Sequence, residues 1–321
     1  ANTAIESRNE RAAPNGTSDD PTKIKIKGAC LGGAVLKDKH DILIAGVNPH
    51  VDCPEGGPVK IALLSTISRS GTCSNDRDES CRSDDDCHDD GKCRASCSET
   101  RDKQCTQNND CPEDEVCAKG ALKSVDGENI AIRHLNIVEA VGTGLELREA
   151  TVDDSDAQVF CNCIARNEEE GVEVDEGGKH TLKRNLVEDN DEVGIRLTSE
   201  TSGNRILENT SRDNDAEGIL LEQHSKKNLV EENKVKHNKK EGIELDGVKC
   251  NTVVENVVKD NDECGVQLTN DAEQNCIDDN ELDDNKPGFC CSESDGNEGN
   301  NLESESSCGK NTSCNSPPGC D

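Results

Sequence analysis

From about residue 157 nearly to the C-terminus, aliphatic and polar positions keep one beat: Asn-x-φ-x-x-Asn-x-φ-x-x-Asn-x-x-x-Gly-φ-x-φ, where φ is aliphatic. One copy reads Asn228, Val230, Asn233, Val235, Asn238, Gly242, Ile243 and Leu245. The next reads Asn251, Val253, Asn256, Val258, Asn261, Gly265, Val266 and Leu268. The glycines fall at Gly171, Gly194, Gly218, Gly242, Gly265 and Gly288, a period of 23 or 24 residues. A fixed period of that size predicts a solenoid. Within each copy, stretches such as Gly-Ile-Glu-Leu at 242–245 alternate apolar and polar residues. That is the period of a strand, not of a helix. Three short strands and three turns per copy predict one coil of a parallel β-helix, with the aliphatic side chains inside.

The inward columns follow from the register. Ile195, Ile219, Ile243, Val266 and Phe289 form one, and Leu197, Leu221, Leu245 and Leu268 a second. Val187, Val235, Val258 and Leu282 form a third, interrupted by Ser211, and Ile206, Val230, Val253 and Ile277 a fourth. Asn tolerates the left-handed backbone region and is expected to turn the chain between strands. Coils stacked about 4.8 Å apart bring equivalent amides within hydrogen-bonding reach. The spacing therefore predicts amide ladders through Asn185, Asn209, Asn233, Asn256 and Asn280, and through Asn190, Asn214, Asn238, Asn261 and Asn285. Asn204, Asn228, Asn251 and Asn275 make a third. These asparagines read as structural, not as ligands.

This repeat resembles the right-handed parallel β-helix repeat of the pectate-lyase-like superfamily, over roughly residues 121–291. The resemblance implies an all-β solenoid. It leaves function open, because that superfamily includes polysaccharide lyases and hydrolases, periplasmic accessory proteins, adhesins and phage tailspikes.

Five segments are expected: a polar N-terminal arm (1–22), irregular first coils (23–72), a Cys-rich insert (73–117), regular coils (118–291) and a Cys-containing cap or tail (292–321). The insert holds two copies of C-x7-C-x5-C-x5-C, at Cys73, Cys81, Cys87, Cys93 and then Cys97, Cys105, Cys111, Cys117. With few apolar residues it needs disulfide staples to hold its shape. It resembles short Cys/Asp-rich repeats of secreted bacterial surface proteins. Cys30 and Cys53 lie one coil apart and are candidates to bridge adjacent coils. Cys290, Cys291, Cys308, Cys314 and Cys320 are candidates to staple a cap over the last coil.

The chain carries 36 basic and 68 acidic residues, a formal charge of −32, which argues against nucleic acid and anionic membranes as partners. Twenty cysteines point to an oxidising compartment, secreted or at the cell surface. No apolar run is long enough to span a membrane. The absence of Met predicts a processed N-terminus, with Ala1 following a removed secretory signal. Sequons occur at Asn15, Asn209 and Asn311. Asp84, Asp85, Asp86, Asp89 and Asp90 offer carboxylate oxygens of the kind calcium takes; a solvated acidic loop is the alternative reading. No other cofactor is expected.

Acidic residues occupy every outward position, and no cluster stands out. The chain has no Trp or Tyr, and its two Phe are Phe160 and Phe289. His180, His224 and His237 read as surface histidines. The reading adopted from these features is a secreted, non-enzymatic structural or adhesive β-solenoid. It would assemble with copies of itself, through coil ends or the N-terminal arm, into an extracellular filament. The alternative is a polysaccharide-active, lyase-like or carbohydrate-binding β-helix. The feature that separates the two is a tight cluster of carboxylates plus one Arg on a single outward face.

Overall fold

The computed structural model describes residues 121–125, 128–148 and 156–286 and, outside these, a set of individual strands. Three parallel sheets form a β-helix. Each coil contributes one strand to each sheet. Sheet A runs through Thr22–Ile26, His40–Gly46, Glu128–Arg133, Gln158–Phe160, Thr181–Lys183, Arg205–Leu207, Leu229–Glu231, Thr252–Val254, Cys276–Asp278 and Asn301–Leu302. Sheet B runs through Gly28–Leu31, Ser65–Ser68, Asn136–Val138, Cys163–Ala165, Leu186–Glu188, Thr210–Arg212, Lys234–Lys236, Val257–Lys259 and Glu281–Asp283. Sheet C runs through Ala34–Lys37, Leu122–Val125, Leu145–Arg148, Val172–Asp175, Ile195–Thr198, Ile219–Leu221, Ile243–Asp246, Val266–Thr269 and Phe289–Cys291.

Five short strands that fall between Ser65–Ser68 and Leu122–Val125 belong to none of these three sheets. Gly71–Cys73, Ser80–Cys81, Cys93–Cys97, Gln104–Cys105 and Cys117–Ala118 pair as a separate antiparallel sheet. The flanking strands still pair with neighbouring coils, Ser65–Ser68 with Asn136–Val138 and Leu122–Val125 with Leu145–Arg148. Side chains of the candidate cysteines from Cys30 to Cys117 and from Cys290 to Cys320 lie outside the described residues. So do Asp84, Asp85, Asp86, Asp89 and Asp90, the arm 1–21 and most of the tail.

In-register pairing stacks like on like. Ile195 pairs with Val172 and Ile219, and Leu197 with Val174 and Leu221, and all six are fully buried. Side chains alternate in and out along a strand, so burial of one face forces the next residue out. Ser211 fills its column because its hydroxyl donates to Gly218 O at 2.7 Å and accepts from Asn214 Nδ2 at 3.1 Å. The repeated glycine sits where coils approach most closely: a Cβ on Gly218 would lie 2.2 Å from Val235 Cγ1.

The amides run along the corners. Asn209 Nδ2 donates to Asn233 Oδ1 at 3.0 Å and to Leu182 O at 2.9 Å, while the Asn209 backbone N–H donates to the same Asn233 Oδ1 at 2.9 Å. The pattern repeats coil after coil, and the columns are buried. The turning residue is not the asparagine, however. The left-handed residue is the one before it: Arg184, Glu208, Glu232 and Glu255 have φ of 53–56°. The asparagine has to face inward to reach its ladder partner, so the corner falls on its neighbour. That neighbour spends about 1 kcal/mol on an unfavourable backbone, offset by the buried amide bonds beside it.

Candidate active site

Outward carboxylates are densest on the strands of sheet C. Along its strands an outward column runs Lys123, Glu146, Glu173, Arg196, Leu220, Glu244, Gln267 in register. Arg196 is its one arginine. Its Nη1 lies 2.6 Å from Glu170 Oε1 and 3.7 Å from Glu173 Oε1, and its Nη2 lies 2.5 Å from Glu222 Oε1. Glu170 is buried and is also held by Thr143, whose hydroxyl donates to Oε2 at 2.9 Å. Three carboxyls therefore converge on one guanidinium.

The protonation chemistry follows from this crowding. Burial, reinforced by the neighbouring charges of Glu170 and Glu146, pushes the Glu173 carboxyl up to about 8. Arg196 opposes that shift without cancelling it. The guanidinium itself is held above its usual range by its bonds to Glu222 and Glu170, which outweigh its own burial. At neutral pH Glu173 is thus a protonated acid beside a fixed positive charge, an arrangement suited to proton donation.

Two coils further on, Glu217, Glu241 and Glu244 bring carboxylate oxygens within 4.8 Å of one another. Lys240 Nζ lies 2.8 Å from Glu217 Oε1, and the charges of Glu217, Glu241 and Glu244 all raise its affinity for its proton. Burial, together with Glu263 and Glu244, pushes Glu241 up to about 7. The trio already has an ammonium as counter-ion, which makes it a poor fit to calcium.

Where the sheet C strands end, a cleft of about 800 Å³ opens, lined by Glu176, Gly177, Ser199, Glu200, Ser202, Gln223, His224 and Lys226. Its walls hold consecutive non-glycine residues in the left-handed region: Ser199 and Glu200 (φ 55° and 64°), Gln223 and His224 (50° and 66°). The same pair recurs two coils on at Asn270 and Asp271 (48° and 61°), so these are corners of the repeat.

The sequence model of the family described as "right handed beta helix region" matches residues 120–282, just over half the chain. The chain belongs to the right-handed β-helix family. Among solved structures, this β-helix is similar to pectate lyase Pel9A (TM-score 0.55, 12% identity, 94% of this chain and 71% of that one). It is also similar to a mannuronan C-5 epimerase A-module of Azotobacter vinelandii (TM-score 0.53, 13% identity, 84% and 69%). A third is a mutant of the periplasmic alginate epimerase AlgG (TM-score 0.51, 13% identity, 92% and 64%). No curated protein sequence matches the chain. At these identities the likeness establishes the shared fold.

The expectation of a non-enzymatic structural or adhesive solenoid, self-assembling into a filament, is corrected by these findings. So is the expectation of no enzyme activity. The three solved β-helices just described are named as a pectate lyase and two epimerases, of mannuronan and of alginate. The Arg196 cluster is also the discriminating feature, carboxylates gathered around one Arg on a single outward face. Counting acidic residues hid it; reading the outward residues as columns exposes Arg196 among Glu146, Glu173 and Glu244.

Other sequence readings also change. His180 is fully buried, whereas His224 and His237 are exposed. His180 occupies the ladder position before Asn204, and its Nδ1 accepts the Ala157 N–H at 3.0 Å. Its proton is therefore on Nε2, which has no partner among the described residues. Burial holds this imidazole down at about 4. The Asn209 sequon is buried in its ladder, so the folded chain cannot present it. Phe160 is half-buried, next to Lys183 in sheet A. Cys161, Cys250, Cys264 and Cys276 are disulfide-bonded, and no repeated Cys spacing marked them in advance. Cys163 is free, but burial, reinforced by the Glu188 charge, pushes its thiol up to about 12, so it is no nucleophile. No helix among the described residues is long and apolar enough to cross a membrane.

Proposed function

We propose that this chain is a polysaccharide-active β-helix enzyme that performs acid–base chemistry on a glycan lying along the outer face of sheet C. The observation that carries the reading is the convergence of Glu170, Glu173 and Glu222 on Arg196. In this reading Glu173 is the proton donor. Arg196 steadies negative charge that develops on a substrate oxygen, and Glu170 and Glu222 keep the guanidinium in place. The cleft at the strand ends receives the flanking sugars. The disulfide-bonded Cys161, Cys250, Cys264 and Cys276 support an oxidising, extracytosolic location.

The test is a panel of anionic, neutral and cationic polysaccharides, followed for unsaturated ends, new reducing ends and changes in sugar configuration. Turnover of at least one is expected. Glu173→Gln is expected to lower kcat by about a hundredfold or more, as for loss of a positioned acid. Because Glu173 has to be protonated to donate, kcat should fall as pH rises through about 8. A Glu173→Gln enzyme with undiminished turnover sinks the assignment.

A further inference from the structure

We propose that the sheet C face takes a glycan carrying ammonium groups, a chain of 2-amino-2-deoxy sugars, and not a carboxylate-bearing one. This rests on the reading of that face as a glycan site, and it names the substrate class.

Charge on this face is lopsided. The outward columns hold Glu146, Glu170, Asp175, Glu217, Glu222, Glu244 and Asp246 against three cations, besides Glu173 and Glu241, whose burial and crowding favour their neutral forms. Each of those cations already has a carboxylate: Lys123 pairs with Glu146, Arg148 with Asp175 at 3.3 Å, and Arg196 with Glu170 and Glu222. A uronate chain laid here would find no unclaimed cation among the described residues of these columns and would meet a surplus of like charge. Lys240 bonds to Glu217, and burial and crowding push Glu241 towards its neutral form, so Glu244 and Asp246 are the carboxylates that call for positive charge.

The molecule also shows which kind of cation they accept. Lys240 reaches them from a neighbouring corner and sets its ammonium on Glu217, close enough to Glu241 and Glu244 to be influenced by both. Half of the Lys240 side chain is exposed, so it can swing aside for a ligand ammonium of the same chemistry. A second observation points to a ligand. Thr198 is only 4% exposed and lies on the outward side of its strand, in register with Asp175, yet its hydroxyl has no hydrogen-bond partner among the described residues. Such a group awaits a hydroxyl or amine from outside. The coil repeat of about 4.8 Å offers one rung per sugar of an extended chain.

The test uses the full chain and chitosan oligosaccharides as the probe, with alginate and pectate oligosaccharides, with and without calcium, as rivals. Binding is measured at mildly acidic pH, where the amines are charged. Chitosan oligosaccharides are expected to bind and the rivals not. The double variant Glu244→Gln/Asp246→Asn should weaken binding by about tenfold, the loss of one charge-assisted contact, while Glu232→Gln at an exposed corner leaves it unchanged. Lys240→Gln removes the internal competitor and should tighten binding, a gain that misfolding cannot mimic. Equal or tighter binding of alginate or pectate overturns the proposal, as does a double variant that binds unchanged. Turnover of only anionic or neutral glycans overturns this substrate class and leaves the enzyme reading standing. Chitosan binding without turnover of any glycan supports the face and sinks the enzyme reading.

Discussion

His180 shows how one residue can set the acid limit of the fold. It stands where the ladder elsewhere has asparagine, and Nδ1 reproduces the acceptor role of an amide oxygen. The imidazole cannot also donate to Asn204 as an amide would, so Nε2–H is buried without a partner among the described residues. Its folded value of about 4 lies below the ordinary 6.5. The unfolded chain therefore binds this proton first. The contribution is complete above about pH 6.5 and is lost as pH falls towards 4, amounting to about 3 kcal/mol. His180→Asn should restore the amide and flatten that segment of the stability profile relative to the parent chain, measured by denaturant unfolding at several pH values. An identical slope in both proteins would argue against it. Glu173 has the opposite sign. Its folded value is raised, so its neutral form favours folding at low pH, and that contribution is lost as pH rises from about 4.5 to about 8. Glu173→Gln should therefore stabilise the chain at alkaline pH while lowering kcat by about a hundredfold or more, which would separate a functional carboxyl from a merely structural one.

Each coil is held to the next by strand pairing and by amides at the corners, and the amides are the more vulnerable. Removing the Asn209 side chain deletes bonds to Asn233 and Leu182, and leaves the Asn185 N–H and Nδ2 without their acceptor. Buried donors without partners cost roughly 1–3 kcal/mol each. Asn209→Ala is expected to destabilise by about 3–5 kcal/mol on that scale, and Asn209→Asp, which keeps the acceptor, by less. Glu208→Ala, at the exposed-side corner before it, removes ion pairs with Lys183 and Arg184 and should cost under about 1 kcal/mol. Thermal unfolding of the three variants decides the order. Equal losses at Asn209 and Glu208 would mean that the ladder adds nothing beyond strand pairing.

At the scale of the whole molecule, a formal charge of −32 is wound onto a narrow solenoid. Many surface carboxylates find a cation one coil away, as in Arg212–Glu188, Lys239–Asp215 and Lys286–Asp262. The excess remains, and self-repulsion opposes compactness. Raising monovalent salt from low to physiological strength is expected to raise Tm, because screening weakens repulsion over a Debye length of about 8–10 Å. Calcium and magnesium at equal ionic strength should then act alike. A rise specific to calcium would reveal a site that Lys240 does not already satisfy.

The repeat made the coil period, the inward columns and the parallel β-helix legible in the sequence, because in-register stacking demands the same side-chain type at the same place in each turn. The spacing of the asparagines was equally visible, but which residue turns the corner was not, since that depends on where the amide must point. The Arg196 cluster lay in the sequence only as separate acids scattered among many others. Glu170 and Glu222 meet one guanidinium because coiling superimposes residues 26 apart, and Glu173 joins them from the adjacent strand. Crowding then shifts the proton affinity of Glu173, and no linear pattern records crowding. The chain's order therefore determined the rungs, and only their stacking decided which outward side chains share a site.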